Sequence, residues 1–263
     1  MSHLGDDTFH IANTPALQER ALVEGLSFRL GGFHFTVATT EDLLEKVYGL
    51  RYQSYVKDYR FAPEADFPDG RHTDRYDPGS IHAVALDSEG NAVGTVRLVL
   101  NSPLGFQCLG AASEEHQVKL ASSKKVAELS RLALANPYAG AFADVWSALL
   151  SMPVPLPVPP GKPSAPRRDR RRGAVILLGL FRMLYRVSKR LRLTGWCFMC
   201  NPATAAVYVR HGVPMNQLGP VVDRVGNRAS HLARFHEIEH HLLNFDRIRA
   251  VALDLMVRDR PPL

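Results

Sequence analysis

The chain predicts an α/β fold, a mixed sheet with helices on both faces. Three observations point there. Strand-like and helix-like segments alternate along most of the 263 residues, a pattern that layers helices against a sheet. The turn residues Ser88-Glu89-Gly90-Asn91 separate two apolar runs, as in a hairpin. No internal repeat suggests a solenoid instead.

Taken in order, residues 1–32 read as a polar lead-in with a short helix at 15–24 and a break at Gly31-Gly32. Residues 33–38 alternate as a strand. Thr40 is placed to cap a helix, and Leu43, Leu44, Val47, Leu50, Arg51 and Val56 continue it at helical spacing. Residues 60–80 lose periodicity and read as a functional loop. The hairpin arms are 81–86 and 92–100, a short helix follows at 114–125, and 126–134 is a strand that Asn136-Pro137 ends. Residues 152–172, rich in proline and then in arginine, have little that could join a core and read as an insertion. Beyond it come a helix at 174–191 and a strand at 193–200. Asn201 caps the next helix, with Pro202 at its first position and Gly212 after its end. One or two late strands fall within 213–232, and a C-terminal helix covers 235–257. The domain expected is therefore 33–263, interrupted by the insertion.

Composition narrows the class. A 46% hydrophobic chain of this length can bury one core. No apolar run reaches the roughly 18–20 residues of a membrane span. The polar N-terminus, with Asp6, Asp7 and Glu19, is not a secretory signal. Cys108, Cys197 and Cys200 make no disulfide framework, so a cytoplasmic location is expected. Cys197 and Cys200 form a C-x-x-C inside a strand-like run, where that spacing puts the thiols on opposite faces and argues against zinc or redox work. The net charge of +6 is local: residues 162–192 hold eleven basic side chains and one acid, net +10, leaving −4 elsewhere. Such a patch implies an anionic partner at one place. It lacks the interleaved aromatics of a nucleic-acid surface, and no nucleic acid is expected.

The chemistry sits in two short runs, Asp74-Arg75-Tyr76-Asp77 in the loop and Glu128-Leu129-Ser130-Arg131 on a strand, with Arg97 on the hairpin between them. Ionic groups on apolar strands are costly to bury unless paired. Two readings stand. In one, Asp74 to Asp77 is a turn beside Pro78-Gly79, Glu128 and Arg131 are an exposed pair on an edge strand, and Arg51 lies on a solvated helix face. In the other they converge as a charged site.

At these residues the chain resembles the PEP-CTERM/exosortase system-associated acyltransferases, relatives of the acyl-homoserine-lactone synthases and N-acyl amino acid synthases. The matching pieces are Leu50-Arg51-Tyr52-Gln53-Ser54-Tyr55-Val56, Phe67-Pro68-Asp69-Gly70, Asp74-Arg75-Tyr76-Asp77, Gly94-Thr95-Val96-Arg97-Leu98 and Glu128-Leu129-Ser130-Arg131-Leu132-Ala133. Five such pieces in one order are specific where each alone is weak. The resemblance implies a GNAT-like fold, a thioester donor (acyl-CoA or acyl carrier protein) and an amino-acid-like amine as acceptor. It implies no bound cofactor or metal and no covalent enzyme intermediate. One departure stands out: His72 replaces the glutamate that the homoserine-lactone synthases carry two residues before the first aspartate, which leans away from S-adenosylmethionine as acceptor.

On this reading Asp74, Asp77 and Glu128 are the candidate catalytic residues. The two aspartates hold the incoming ammonium, and Glu128 takes a proton if burial raises its pKa. Arg51, Arg97, Arg131 and His72 are the candidate substrate-binding residues. Arg131 lies three residues past Glu128, on the other face of an ideal strand, so it is expected to lock the acidic loop or bind an acceptor carboxylate. Arg167, Arg168, Arg170, Arg171 and Arg172, preceding a helix start near Ala174, would dock donor phosphates or an acidic carrier protein; a solvated linker is the alternative. His236-Glu237-Ile238-Glu239-His240 matches H-E-x-x-H, but a zinc site needs a third ligand, and after His241 there is no further His and after Glu239 no further Glu. The alternatives in function are a homoserine-lactone synthase and a non-catalytic basic binding module on the same fold.

Overall fold

The computed structural model describes residues 15–138, 167–210, 214–223 and 226–243. Its centre is a nine-stranded mixed sheet in the order β1-β2-β3-β4-β5-β6-β9-β7, with β8 paired to β9. The strands are β1 (Ser27–Leu30), β2 (Phe33–Val37), β3 (Ser80–Leu86), β4 (Ala92–Val99), β5 (Val126–Leu134), β6 (Gly195–Cys200), β7 (Asn216–Gln217), β8 (Val222–Asp223) and β9 (Asn227–Arg234). Neighbours pair antiparallel except β5 and β6, which run parallel. The helices are α1 (Pro15–Val23), α2 (Glu41–Arg51), α3 (Glu114–Ala121), α4 (Arg167–Arg190), α5 (Pro202–Arg210) and α6 (Phe235–Leu243).

One face of the sheet is closed by α4. Ile176, Leu177, Leu180, Met183, Leu184 and Val187 form a buried stripe at helical spacing. The stripe packs on Phe33, Phe35, Ile81, Ala83, Ala85, Val96 and Leu98. Close approach depends on Gly179. A Cβ there would stand 2.1 Å from Cζ of Phe35, a fully buried ring already stacked on Phe28. Gly179→Ala should therefore destabilise the protein by about 1–3 kcal/mol through overpacking, although alanine favours helix. Urea denaturation reads this directly.

The opposite face carries α2, whose Val47 and Tyr48 pack on Val84 and Leu86. Thr40 caps α2 as its sequence suggests, its hydroxyl accepting from the Leu43 amide at 3.4 Å. Beyond Arg51 the helix widens into a π-helical stretch, Tyr52–Asp58. Helices thus cover both faces, and among the described residues none is long and apolar enough to cross a membrane.

The structure departs from the sequence expectation at several ends. The sheet begins inside the expected lead-in, because β1 pairs with β2 across the Gly31-Gly32 turn, where both glycines have positive φ. The arginine run does not precede a helix; it forms the first turns of α4. The late segment makes three strands rather than one or two. Residues 152–166 of the expected insertion, Gly212 and the chain beyond 243 lie outside the described residues.

Candidate active site

The charged residues singled out above converge on the α2 face of the sheet. Strand parity places Ser80 and His82 of β3, Arg97 of β4, and Glu128 and Ser130 of β5 on that face, since Ile81, Leu98 and Ala127 belong to the α4-side core. Arg51, the last residue of α2, reaches down to meet them, and the loop before β3 brings Asp74 and Asp77 between the arginines.

The result is a ladder of alternating charge. Arg51 donates to Asp77 from Nη1 to Oδ1 at 2.8 Å and from Nη2 to Oδ2 at 3.3 Å. Arg97 Nη1 bridges both carboxylates, 2.8 Å from Asp77 Oδ1 and 2.5 Å from Asp74 Oδ1, while its Nε donates to Ser130 Oγ at 3.1 Å. Arg131 ends the ladder with Nη2 and Nε on Asp74 Oδ2, at 2.6 and 3.2 Å. The backbone amides of Asp74 and Tyr76 add bonds to Asp77 Oδ2 (2.7 Å) and Asp74 Oδ1 (2.9 Å). Arg51 and Arg97 are fully buried. Charges this deep persist only when paired. Burial works against the ionised aspartates, yet Arg51 and Arg97 hold Asp77 below the usual carboxylate range, and Arg97 and Arg131 do the same for Asp74.

Arg131 reaches Asp74 through a defect in the strand. Ideal alternation would put its side chain on the α4 face. Its φ is +53°, and between the pairs Thr95↔Ala133 and Arg97↔Ser130 β5 holds one more residue than β4. This β-bulge turns Arg131 back toward the loop. Arg131 is thereby bonded to Asp74 of the acidic loop.

The ladder saturates the two aspartates with protein donors. Each of their four carboxylate oxygens already accepts two hydrogen bonds. No lone pair is left for a substrate ammonium. Between them they hold three guanidinium groups, those of Arg51, Arg97 and Arg131. His72 is likewise engaged. It is buried, its Nδ1 lies 3.3 Å from Arg51 Nη2, and its ring is stacked between Tyr55 and Phe67. Burial, with Arg51 and Arg131 nearby, pushes its pKa down to about 4. A neutral His72 thus accepts from Arg51 as a prop rather than meeting solvent.

Glu128 is different. It is 2% exposed, and Oε2 accepts from the Cys108 amide at 2.9 Å. Burial pushes its pKa up, and the Cys108 amide, Arg97 and Arg131 only partly oppose this. Its place in the sheet is also special. The parallel pair β5–β6 is bonded only from Val126↔Gly195 to Glu128↔Cys197. Beyond that, β5 continues beside β4 and β6 beside β9. Glu128 stands where the two strands part.

Three residues of this site were not singled out from sequence. His82 packs edge-on to Tyr48, its Nε2 3.7 Å from Asp77 Oδ1. Burial pushes its pKa down to about 3, Asp77 pulling against it and Arg51 and Arg97 adding to it. A lone histidine between Ile81 and Ala83 was the available signal. Ser130 lay inside a quoted motif. Tyr55, whose hydroxyl donates to the Leu132 carbonyl at 2.8 Å, ties the π-helical stretch to β5.

The remaining candidates fall elsewhere. Arg168 and Arg171 are exposed at the start of α4, on the other side of the sheet. Arg172 lies over the rings of Phe33 and Tyr138 at 5.1 and 5.7 Å. Nothing is described of the Arg167 and Arg170 side chains. Cys197 is buried beside Cys108, whereas Cys200 faces His231 Nδ1 at 3.5 Å. In α6, Glu239 binds Tyr185 and Lys189. Among the described residues no group of three or more His, Cys, Asp or Glu could hold a metal. A cavity of about 650 Å³ opens beside the π-helical stretch, lined by Val56, Lys57, Arg60, Phe61, Ala62, Pro63 and Glu64.

The overall fold is shared with solved acyl-transfer enzymes, and fold and family match together indicate an acyltransferase. The matching family is the N-acyl amino acid synthase FeeM, over residues 46–154, a span that includes the whole ladder and Glu128. The solved structure of FeeM from uncultured soil microbes superposes with a TM-score of 0.51 at 14% identity, covering 81% of this chain and 98% of that one. TofI in a ternary complex with an inhibitor and MTA gives 0.51 at 16% identity, covering 84% and 96%. The CoA-dependent acyl-homoserine lactone synthase BjaI, with SAM and isopentyl-CoA, gives 0.50 at 16%, covering 81% and 92%. No curated protein sequence matches the chain.

Proposed function

We propose that this protein is an N-acyltransferase that moves an acyl group from acyl-CoA or an acyl carrier protein to the amine of an amino-acid-like acceptor, in association with a PEP-CTERM/exosortase system. The exosortase link rests on the motif resemblance alone. The single observation that carries the chemistry is Glu128: a buried carboxylate with a raised pKa at the residue where β5 and β6 part.

The opening between the strands is where the thioester would lie, because only there does a β5 edge lose its parallel neighbour. Backbone N–H groups on that edge would stabilise the oxyanion. The acceptor's nitrogen attacks the thioester carbonyl carbon, and the carbon–sulfur bond breaks. Glu128 takes the proton the nitrogen sheds, directly or through water, and that proton leaves on the thiol. Asp74 and Asp77 act by positioning. Arg131, whose side chain is a quarter exposed, is the rung open to an acceptor carboxylate, while Arg51, Arg97 and His72 support it from within.

The test is incubation with long-chain acyl-CoA, or acyl carrier protein, and a mixture of amino acids, read by mass spectrometry. An N-acyl amino acid supports the reading. An N-acyl lactone formed from S-adenosylmethionine would favour the homoserine-lactone alternative, and absence of any N-acyl product would refute acyl transfer.

The arginine run supplies a second expectation. Tyr138, which follows β5, lies under Arg172, so the start of α4 stands at the end of β5 that leads away from Glu128. Donor phosphates, or an acidic carrier protein, would bind there. Replacing the exposed Arg168 and Arg171 by serine should raise the KM for the donor several-fold, roughly 1 kcal/mol, and leave the acceptor KM alone. Steady-state kinetics with each substrate varied in turn checks it.

A further inference from the structure

We propose that Arg20, in the N-terminal helix α1, is a positioning residue for the active site; this rests on the acyltransferase reading above. Arg20 lies in the last turn of α1, within the stretch that reads from sequence as a lead-in. Its guanidinium gathers three backbone carbonyls of the acidic loop. Nε and Nη2 donate to Ser80 O at 3.2 and 2.9 Å, and Nη2 also lies 3.2 Å from Asp77 O and 3.1 Å from Pro78 O.

These carbonyls belong to the 3-10 turn Asp77–Gly79 and to the first residue of β3. They crowd together where a short helical turn ends, a place that attracts a cation. The planar guanidinium presents its donors in a fixed fork, so it meets these oxygens from one set direction, whereas an ammonium on a flexible stem does not fix that direction. Asp77 is therefore fixed twice. Its carboxylate is held by Arg51 and Arg97, and its main chain by Arg20. The clamp is itself anchored, because Val23 and Leu26, just beyond Arg20, are buried in the α4-side core. The N-terminal helix thus completes the ladder from outside it.

Catalysis that depends on placed groups is sensitive to small shifts of the backbone that carries them. Three variants test the idea: Arg20→Met, Arg20→Lys and, as control, Leu22→Ala, which alters an exposed residue of the same helix. In Arg20→Met, amide hydrogen exchange across residues 74–80 should quicken by about tenfold or more, without matching change in β4 or α4. kcat should fall roughly 10- to 100-fold with the donor KM within about twofold. Arg20→Lys should fall between, and Leu22→Ala should match the wild type.

Unchanged exchange across 74–80 in Arg20→Met would overturn the proposal. So would a lowered melting temperature with kcat intact, which is what a merely structural anchor gives. If the wild type forms no N-acyl product, the acyltransferase reading fails, and the exchange measurement still decides whether Arg20 holds the loop. Should Arg20→Met fail to fold, Arg20→Lys decides the question by the same exchange pattern.

Discussion

Asp77→Asn should destabilise the protein by about 3–5 kcal/mol and abolish measurable acyl transfer. The carboxylate of Asp77 meets both fully buried arginines, Arg51 and Arg97, and takes the Asp74 amide as well. An amide in its place can still accept one or two hydrogen bonds but brings no charge. It also turns an NH2 group toward guanidinium donors that need acceptors. Two buried cations would then share the half-buried Asp74. The pH dependence follows from the sign of the shift. The folded-state pKa of Asp77 is depressed, so the stability it contributes is present above the ordinary aspartate range and is lost as pH falls through the lower, folded value. The wild type should therefore lose stability below about pH 4, and Asp77→Asn should show a flatter acid limb from a lower plateau. Urea denaturation from pH 3 to pH 7 measures both. Equal stability of variant and wild type at pH 7 would mean that the ladder does not hold the loop.

How far the sequence announces this arrangement depends on which physics decides each part. The ends of β5 are legible because an apolar run meets Asn136-Pro137, and the start of α2 because Thr40 can cap it. The convergence of Asp74, Asp77, Arg97 and Arg131 is legible through motif order and through the cost of leaving such charges unpaired. Other parts rest on tertiary context. The Arg131 bulge breaks a parity rule that holds along the rest of the strand, and it depends on one residue with positive φ. β1 has four residues that are exposed or half-buried, so it lacks an apolar signature and exists because β2 offers an edge. The arginine run begins a helix because arginine is a good helix former and Asp169 lies in the first turn; the prolines before it gave the opposite impression. The saturation of the aspartates depends on eight hydrogen bonds meeting four oxygens, a geometry that only the folded chain sets.

Glu128→Gln should lower kcat by roughly 10²- to 10⁴-fold while leaving the melting temperature at pH 7 unchanged or higher. The two outcomes have one cause. Burial raises the pKa of Glu128, so keeping it ionised at neutral pH costs the folded state free energy. A group with a raised folded pKa favours the fold below its unfolded value and loses that contribution as pH rises through the folded one. Glutamine removes this cost, and its carbonyl still accepts the Cys108 amide that Oε2 now takes. What it cannot do is accept the proton that the acceptor nitrogen sheds. The pH–rate profile carries the signature. In the wild type, activity should rise with pH through a value above the ordinary glutamate range, because the base must be ionised. In Glu128→Gln that rise should vanish, leaving a low rate nearly independent of pH. A variant that keeps the wild-type rate and profile would assign proton removal to another group. One that loses both rate and stability would make Glu128 a structural partner of the three arginines, needed to balance their charge rather than to move a proton.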